Sequence, residues 1–150
     1  MPTALRLLQA LSREHREKLM SVAREVSFAA DEQIFEAGGT ADRFWVVRSG
    51  TVSLYQQVIA DRRITVAQLG PGDLLGWSWL FRPHTWDFGA EAFSPVRSYE
   101  FDAADVRVLF DQDPTLELSV TRTIGAVLAH RLETTRAALI EHYARHGGSG

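Results

Sequence analysis

Turn-forming residues punctuate the middle of this chain too often for anything but short strands. The turns are Asp31-Glu32, Gly38-Gly39, Arg48-Ser49-Gly50, Asp61-Arg62-Arg63, Gly70-Pro71-Gly72-Asp73 and Arg82-Pro83-His84-Thr85. Between them lie brief apolar runs: Gln33–Phe35, Phe44–Val47, Ile64–Leu69, the aromatic stretch Leu74–Phe81, Trp86–Phe93 and Val96–Phe101. Val52 and Leu54 alternate with Thr51, Ser53 and Tyr55 in strand fashion. Turns recurring roughly every 8–12 residues predict a β-sandwich or barrel.

The flanks read differently. Ser12 is a helix N-cap, with Leu19, Val22 and Val26 at helical spacing, so a helix is predicted over residues 12–26. The β-region then spans residues 27–101. Asp102 begins a short helix with Val106, Leu109 and Phe110 on its apolar face, and Asp113-Pro114 begins a second that runs to Arg145. These C-terminal helices occupy residues 103–145. Leu128, Leu132, Thr135, Leu139 and His142 on the long helix lie close to a seven-residue alternation. A helix too long for its own domain to cover packs against a partner, so a homodimer through Leu128, Leu132, Thr135 and Leu139 is expected. Residues 1–146 are predicted to form one domain, and Gly147–Gly150 a flexible tail.

Composition excludes several classes of function. The chain has 150 residues, 45% of them hydrophobic and 23% charged, an ordinary globular balance. It has no cysteine, which removes disulfides, thiolate metal sites and cysteine nucleophiles. Its net charge of -3 offers no global positive field to nucleic acid. No apolar run reaches the roughly 20 residues of a membrane helix, and Met1–Leu11 lacks a signal-peptide layout. The expected location is cytoplasmic, with no membrane partner.

Two segments carry a family likeness. Glu36-Ala37-Gly38-Gly39-Thr40-Ala41-Asp42-Arg43-Phe44-Trp45-Val46-Val47-Arg48-Ser49-Gly50-Thr51-Val52 and then Gly70-Pro71-Gly72-Asp73-Leu74-Leu75-Gly76 follow a helix. Together they resemble the cyclic-nucleotide-binding domain, the sensor half of the catabolite-activator and fumarate-nitrate-regulator proteins. The likeness covers about Leu11 to Tyr143. It implies a mainly β fold, a β-jelly roll with flanking helices. It also implies a regulatory, non-enzymatic role, and a long last helix that forms the dimer interface and closes over the ligand. Transcription factors of this family carry a helix-turn-helix domain after that helix. The chain stops at Gly150, so no nucleic-acid partner is expected for it alone.

The sequence departs from the family where chemistry matters. By resemblance, a glutamate after the second motif holds the ribose, an arginine neutralises the phosphate, and a serine or threonine beside that arginine adds a hydrogen bond. Here Trp77 stands at the glutamate position, Trp86 at the arginine position and Asp87 at the hydroxyl position. Pro83 to Val96 contains no arginine. A buried phosphate without a fixed cation loses its hydration with no return. The chain is therefore expected not to bind cyclic AMP or cyclic GMP in the usual way.

The pocket candidates are Leu75, Gly76, Trp77, Ser78, Trp86, Asp87 and Phe88. By resemblance, Thr135 and Arg136 of the long helix join them. The aromatic residues have three readings: a pocket for an apolar or aromatic small molecule, a core that fills the vacated space, or a patch for a protein partner. A protein-interaction module is thus the alternative function. A cupin-like metalloenzyme is a weaker one, since His84 is the only histidine in the β-region. Gly76-Trp77-Ser78-Trp79-Leu80 lacks the last glycine of a nucleophile elbow. No catalytic residue, metal or cofactor is assigned.

Overall fold

The computed structural model describes residues 6–59 and 61–146. The N-terminus forms two short helices, α1 (Leu7–Ala10) and α2 (Arg13–Met20). Eight strands follow: β1 (Ala23–Phe28), β2 (Gln33–Phe35), β3 (Arg43–Ser49), β4 (Val52–Ile59), β5 (Arg62–Leu69), β6 (Leu74–Leu75), β7 (Gly89–Ala92) and β8 (Val96–Asp102). A 3-10 turn, Ser78–Leu80, separates β6 from β7. The chain then continues through α3 (Ala103–Gln112) into α4 (Pro114–His146).

All strand pairs are antiparallel, in two four-stranded sheets ordered β1-β8-β3-β6 and β2-β7-β4-β5. The sheets face each other as a jelly-roll-like sandwich. Their inner faces bury Val47, Val52, Ala90 and Ala92, and Trp45 fills one end. Gly50 makes the β3–β4 turn at φ +87°, and a Cβ there would stand 2.2 Å from the carbonyl oxygen of Pro95. Only glycine fits that corner.

The helices cover the other face of the first sheet. Leu7, Leu19, Val106, Phe110, Leu116 and Val120 are buried there. Side-chain caps start each longer helix. Ser12 Oγ accepts from His15 N at 3.2 Å, and Asp102 Oδ1 accepts from Ala104 N at 2.9 Å and Asp105 N at 3.2 Å. Asp113 Oδ1 accepts from Thr115 N at 3.1 Å and Leu116 N at 3.3 Å. Asp113 also pairs through Oδ2 with Lys18 Nζ, which ties α4 to α2.

Three boundaries differ from the sequence reading. The helix expected over residues 12–26 stops at Met20, and Val26 belongs to β1 opposite Ser98. Val26 is β-branched and suits the sheet edge that β8 offers, while Val22 lies in the turn before β1. The β-region accordingly begins at Ala23 rather than residue 27, and ends at Asp102 rather than residue 101. Trp86–Phe93 is a strand only over Gly89–Ala92, because Trp86 is committed to a loop pairing described below. The expected tail Gly147–Gly150 lies outside the described residues.

Candidate functional site

The Gly70–Asp73 turn closes on itself: Asp73 Oδ2 accepts from Gly70 N at 2.8 Å, and Gly72 N donates to Val47 O at 2.7 Å. It delivers β6 to the edge of β3, with Leu75 opposite Trp45 and Leu74 opposite Val46. Leu75 is thereby buried. Gly76 follows at φ +89°, and a Cβ there would lie 3.0 Å from the Trp86 ring. The glycine lets the backbone turn in left-handed geometry and lets the indole approach.

Trp86 comes back across this turn. Its N–H donates to Gly39 O at 3.0 Å, and its carbonyl accepts from Gly38 N at 2.8 Å. These bonds point the side chain into the sandwich, where only 5% of it is exposed. The indole stacks on Phe35, with centroids 4.0 Å apart and planes 17° apart, and leans on Trp45 at 5.9 Å. Trp45 Nε1 in turn donates to Glu100 Oε2 at 3.1 Å, and Arg24 holds the other oxygen of Glu100 at 2.8 Å.

The other indoles part company. Trp79 is 1% exposed and lies on the helical side, stacked on Phe44 at 4.8 Å and near Phe110 at 6.2 Å. Trp77 is half-buried and meets Phe81 edge-on at 6.0 Å. The candidate residues Gly76, Trp77, Ser78, Trp86, Asp87 and Phe88 do converge, together with Phe35 and Leu54. The space they leave is about 20 Å³. That holds about one water.

Phe35, Leu54 and one cation of this wall escaped the sequence reading. Arg131 of α4 reaches the same void, and its guanidinium donates to the carbonyl of Leu74. Burial pushes its pKa down, partly offset by the nearby Asp73 carboxylate. Its phase on α4 was the available signal. Leu116, Val120, Ile124 and Val127 form the buried stripe, and 131 is the next position along it.

Arg131 also lines a second, larger space, a groove of about 430 Å³ between β5 and α4. Val66, Leu69, Val127 and Ala138 give it apolar walls, and His130, Thr134, Thr135 and Asp73 give it polar ones. Thr135 is thus separated from the indoles by Arg131. Arg136 is exposed and lines neither space. Of the expected dimer residues, Leu128 is half-buried against the core, while Leu132, Thr135 and Leu139 are exposed, Leu132 by 70%. No helix among the described residues is long and apolar enough to cross a membrane. No group of three or more metal-binding side chains gathers among them.

Comparison with known proteins agrees with this architecture. Residues 25–113 match the family model of the cyclic nucleotide-binding domain. The chain is 26% identical over 116 residues to a CRP-like cAMP-activated global transcriptional regulator of Mycobacterium tuberculosis, covering 77% of this chain and 50% of the regulator. It is 23% identical over 138 residues to cAMP/cGMP-dependent 3',5'-cAMP/cGMP phosphodiesterase B of Dictyostelium discoideum, covering 92% of this chain but 12% of that protein. The chain thus spans half or less of the length of these curated relatives. The crystal structure of the N-terminal domain of a transcriptional regulator from Streptomyces coelicolor A3(2) superposes with a TM-score of 0.70 at 27% identity, covering 91% of this chain and 95% of that one. A jelly-roll-like sandwich closed by one long helix, matched over most of its strands by a single family model, places the chain in the cyclic nucleotide-binding domain family.

Proposed function

We propose that this chain is a non-enzymatic sensing domain whose nucleotide cassette, the segment from Gly70 to Phe88 that carries the Gly70-Pro71-Gly72-Asp73 turn and both indoles, is closed by Trp77 and Trp86, and whose output is the position of α4. The observation that carries the reading is Arg131. It is the cation at the indole-lined void, and it is supplied by the long helix rather than by the cassette. A phosphate entering the void would have to displace a stacked indole, because about 20 Å³ is far below the volume of a nucleotide. The β5–α4 groove is large enough for a small molecule. An apolar or aromatic ligand bearing one acceptor would lie along Val66 and Val127 and take its hydrogen bond from Arg131. Occupancy there would alter the contact between α4 and Leu74, and so bias the helix.

Cyclic AMP and cyclic GMP, titrated against intrinsic tryptophan fluorescence, should give no saturable change below about a millimolar. Tight binding of either would refute the closed cassette. A thermal-shift screen of apolar and aromatic acids tests the groove, since a ligand of the native state raises the melting temperature.

Part of this proposal is a homodimer through α4. A second function, protein docking, draws support from the β4–β5 hairpin, where Val58, Ile59, Ile64 and Val66 are exposed. A lysate partner lost on Ile59→Glu, with the fold intact, would favour that function over small-molecule sensing.

A further inference from the structure

Trp79 is 1% exposed, yet its indole N–H has no acceptor among the described residues. An indole nitrogen can only donate, and buried donors are paired in nearly all folded proteins. The ring's own contacts cannot supply an acceptor. They are Phe44 at 4.8 Å, Phe110 at 6.2 Å and the Arg107 guanidinium 5.9 Å from the ring centre.

The same residue forms a wall of a cleft of about 310 Å³. The cleft lies on the helical side, between the 3-10 turn Ser78–Leu80, α3 and the start of α4. It shares no lining residue with the indole-lined void or with the β5–α4 groove. Leu80 and Phe110 make part of it apolar. Arg107 spends one N–H on the carbonyl of Trp79, at 2.7 Å, and has others to offer. Asp111 stands one helical turn further along α3, about 6 Å of rise away, and Glu117 lines the cleft from the first turn of α4. None of these three charges belongs to an ion pair among the described residues.

A cation and an orphaned donor thus share one cleft with two unpaired carboxylates. The carboxylates repel a plain anion, and the guanidinium repels a plain cation. A small zwitterion satisfies both halves. We propose that this cleft binds an α-amino acid with an apolar side chain. Its carboxylate takes the spare N–H groups of Arg107 and the indole N–H of Trp79, in charge-assisted hydrogen bonds. Its ammonium pairs with Asp111 and Glu117, and its side chain covers Leu80 and Phe110. The volume is that of a small-molecule site. The inference stands apart from the closed cassette, because the two places have no residue in common.

The test is equilibrium dialysis of the full chain with radiolabelled L-leucine. Saturable binding below about a millimolar is expected. Unlabelled isocaproate, which lacks the amine, and isoamylamine, which lacks the carboxylate, should each compete at least tenfold less well than unlabelled leucine. Asp111→Asn/Glu117→Gln changes two exposed positions and should weaken leucine at least tenfold, with circular dichroism verifying the fold. No saturable leucine binding overturns the site. Competition by the acid or the amine on a par with leucine overturns the zwitterion assignment. Leucine binding that the double variant leaves intact puts the amino acid elsewhere and overturns the cleft. Should the double variant not fold, Glu117→Gln alone decides by the same loss of affinity.

Discussion

Trp86 lies nearly flat on Phe35, ring centre to ring centre at 4.0 Å, inside the sandwich. The contact joins the cassette loop to β2 and fills the space from within. Its removal therefore has two effects that can be measured separately. Trp86→Ala is expected to destabilise the fold by about 3–5 kcal/mol, read from urea unfolding. It is also expected to open a cavity that takes up a small aromatic such as indole, seen as partial recovery of the melting temperature. A loss below about 1 kcal/mol would mean that the ring contributes little to the core.

Gly76 is held in left-handed geometry against the same ring. Gly76→Ala should cost about 1–2 kcal/mol from backbone strain alone. The ring contact adds to this, so the double variant Gly76→Ala/Trp86→Leu should lose less than the sum of its parts. Additivity in this cycle would show that the two residues do not feel each other.

Arg131 donates to a carbonyl at the cassette edge. Arg131→Met keeps most of the apolar stem but leaves the Leu74 carbonyl without that donor, at a cost of about 1–3 kcal/mol. Hydrogen exchange should quicken at β6 and in the middle of α4 and stay unchanged at β1. Exchange that is unaltered at β6 would break the proposed link between helix and cassette.

The Lys18–Asp113 pair sets a pH window. Its hydrogen bond to Lys18 holds the Asp113 carboxyl well below the usual carboxylate range, helped by Thr115. A folded-state pKa below the unfolded one gives stability that is present above the unfolded value, near 3.8, and is lost as pH falls through the folded value. Lys18 is shifted the other way, raised by the same bond, so its contribution is full below about 10.5 and fades as pH rises above it. Urea midpoints from pH 6 down to pH 2 should therefore fall less steeply in Asp113→Asn than in the wild type. The asparagine keeps a capping oxygen and removes the charge. Parallel slopes would assign the acid sensitivity to other carboxylates.

Much of the fold was legible because its signals are local. Ser12, Asp102 and Asp113 cap helices where a short polar side chain precedes an apolar period, and Gly50 and the Gly70–Asp73 turn sit where backbone geometry demands them. The helix-to-strand change at Met20 was not legible. Val26 satisfies a helical spacing as well as an alternating one, and only its pairing with β8, opposite Ser98, decides between them. The substitutions Trp77 and Trp86 could be found in sequence, but their different fates could not. Trp86 is turned inward by two backbone bonds to Gly38 and Gly39, nearly fifty residues away. Arg131 was not legible because no local signal links it to Trp86: its guanidinium arrives from α4, 45 residues further on.

That guanidinium ties α4 to the roll at the Leu74 carbonyl, beyond the buried stripe and well before the helix ends. Fifteen residues lie beyond it, about 22 Å of rod. A tilt of about 10° around such a pivot swings the far end by about 4 Å, whereas a slide along the axis must first break the tether. If α4 carries the output as proposed, its motion would be leverage about Arg131, and a small disturbance at Leu74 would be magnified at the far end of α4.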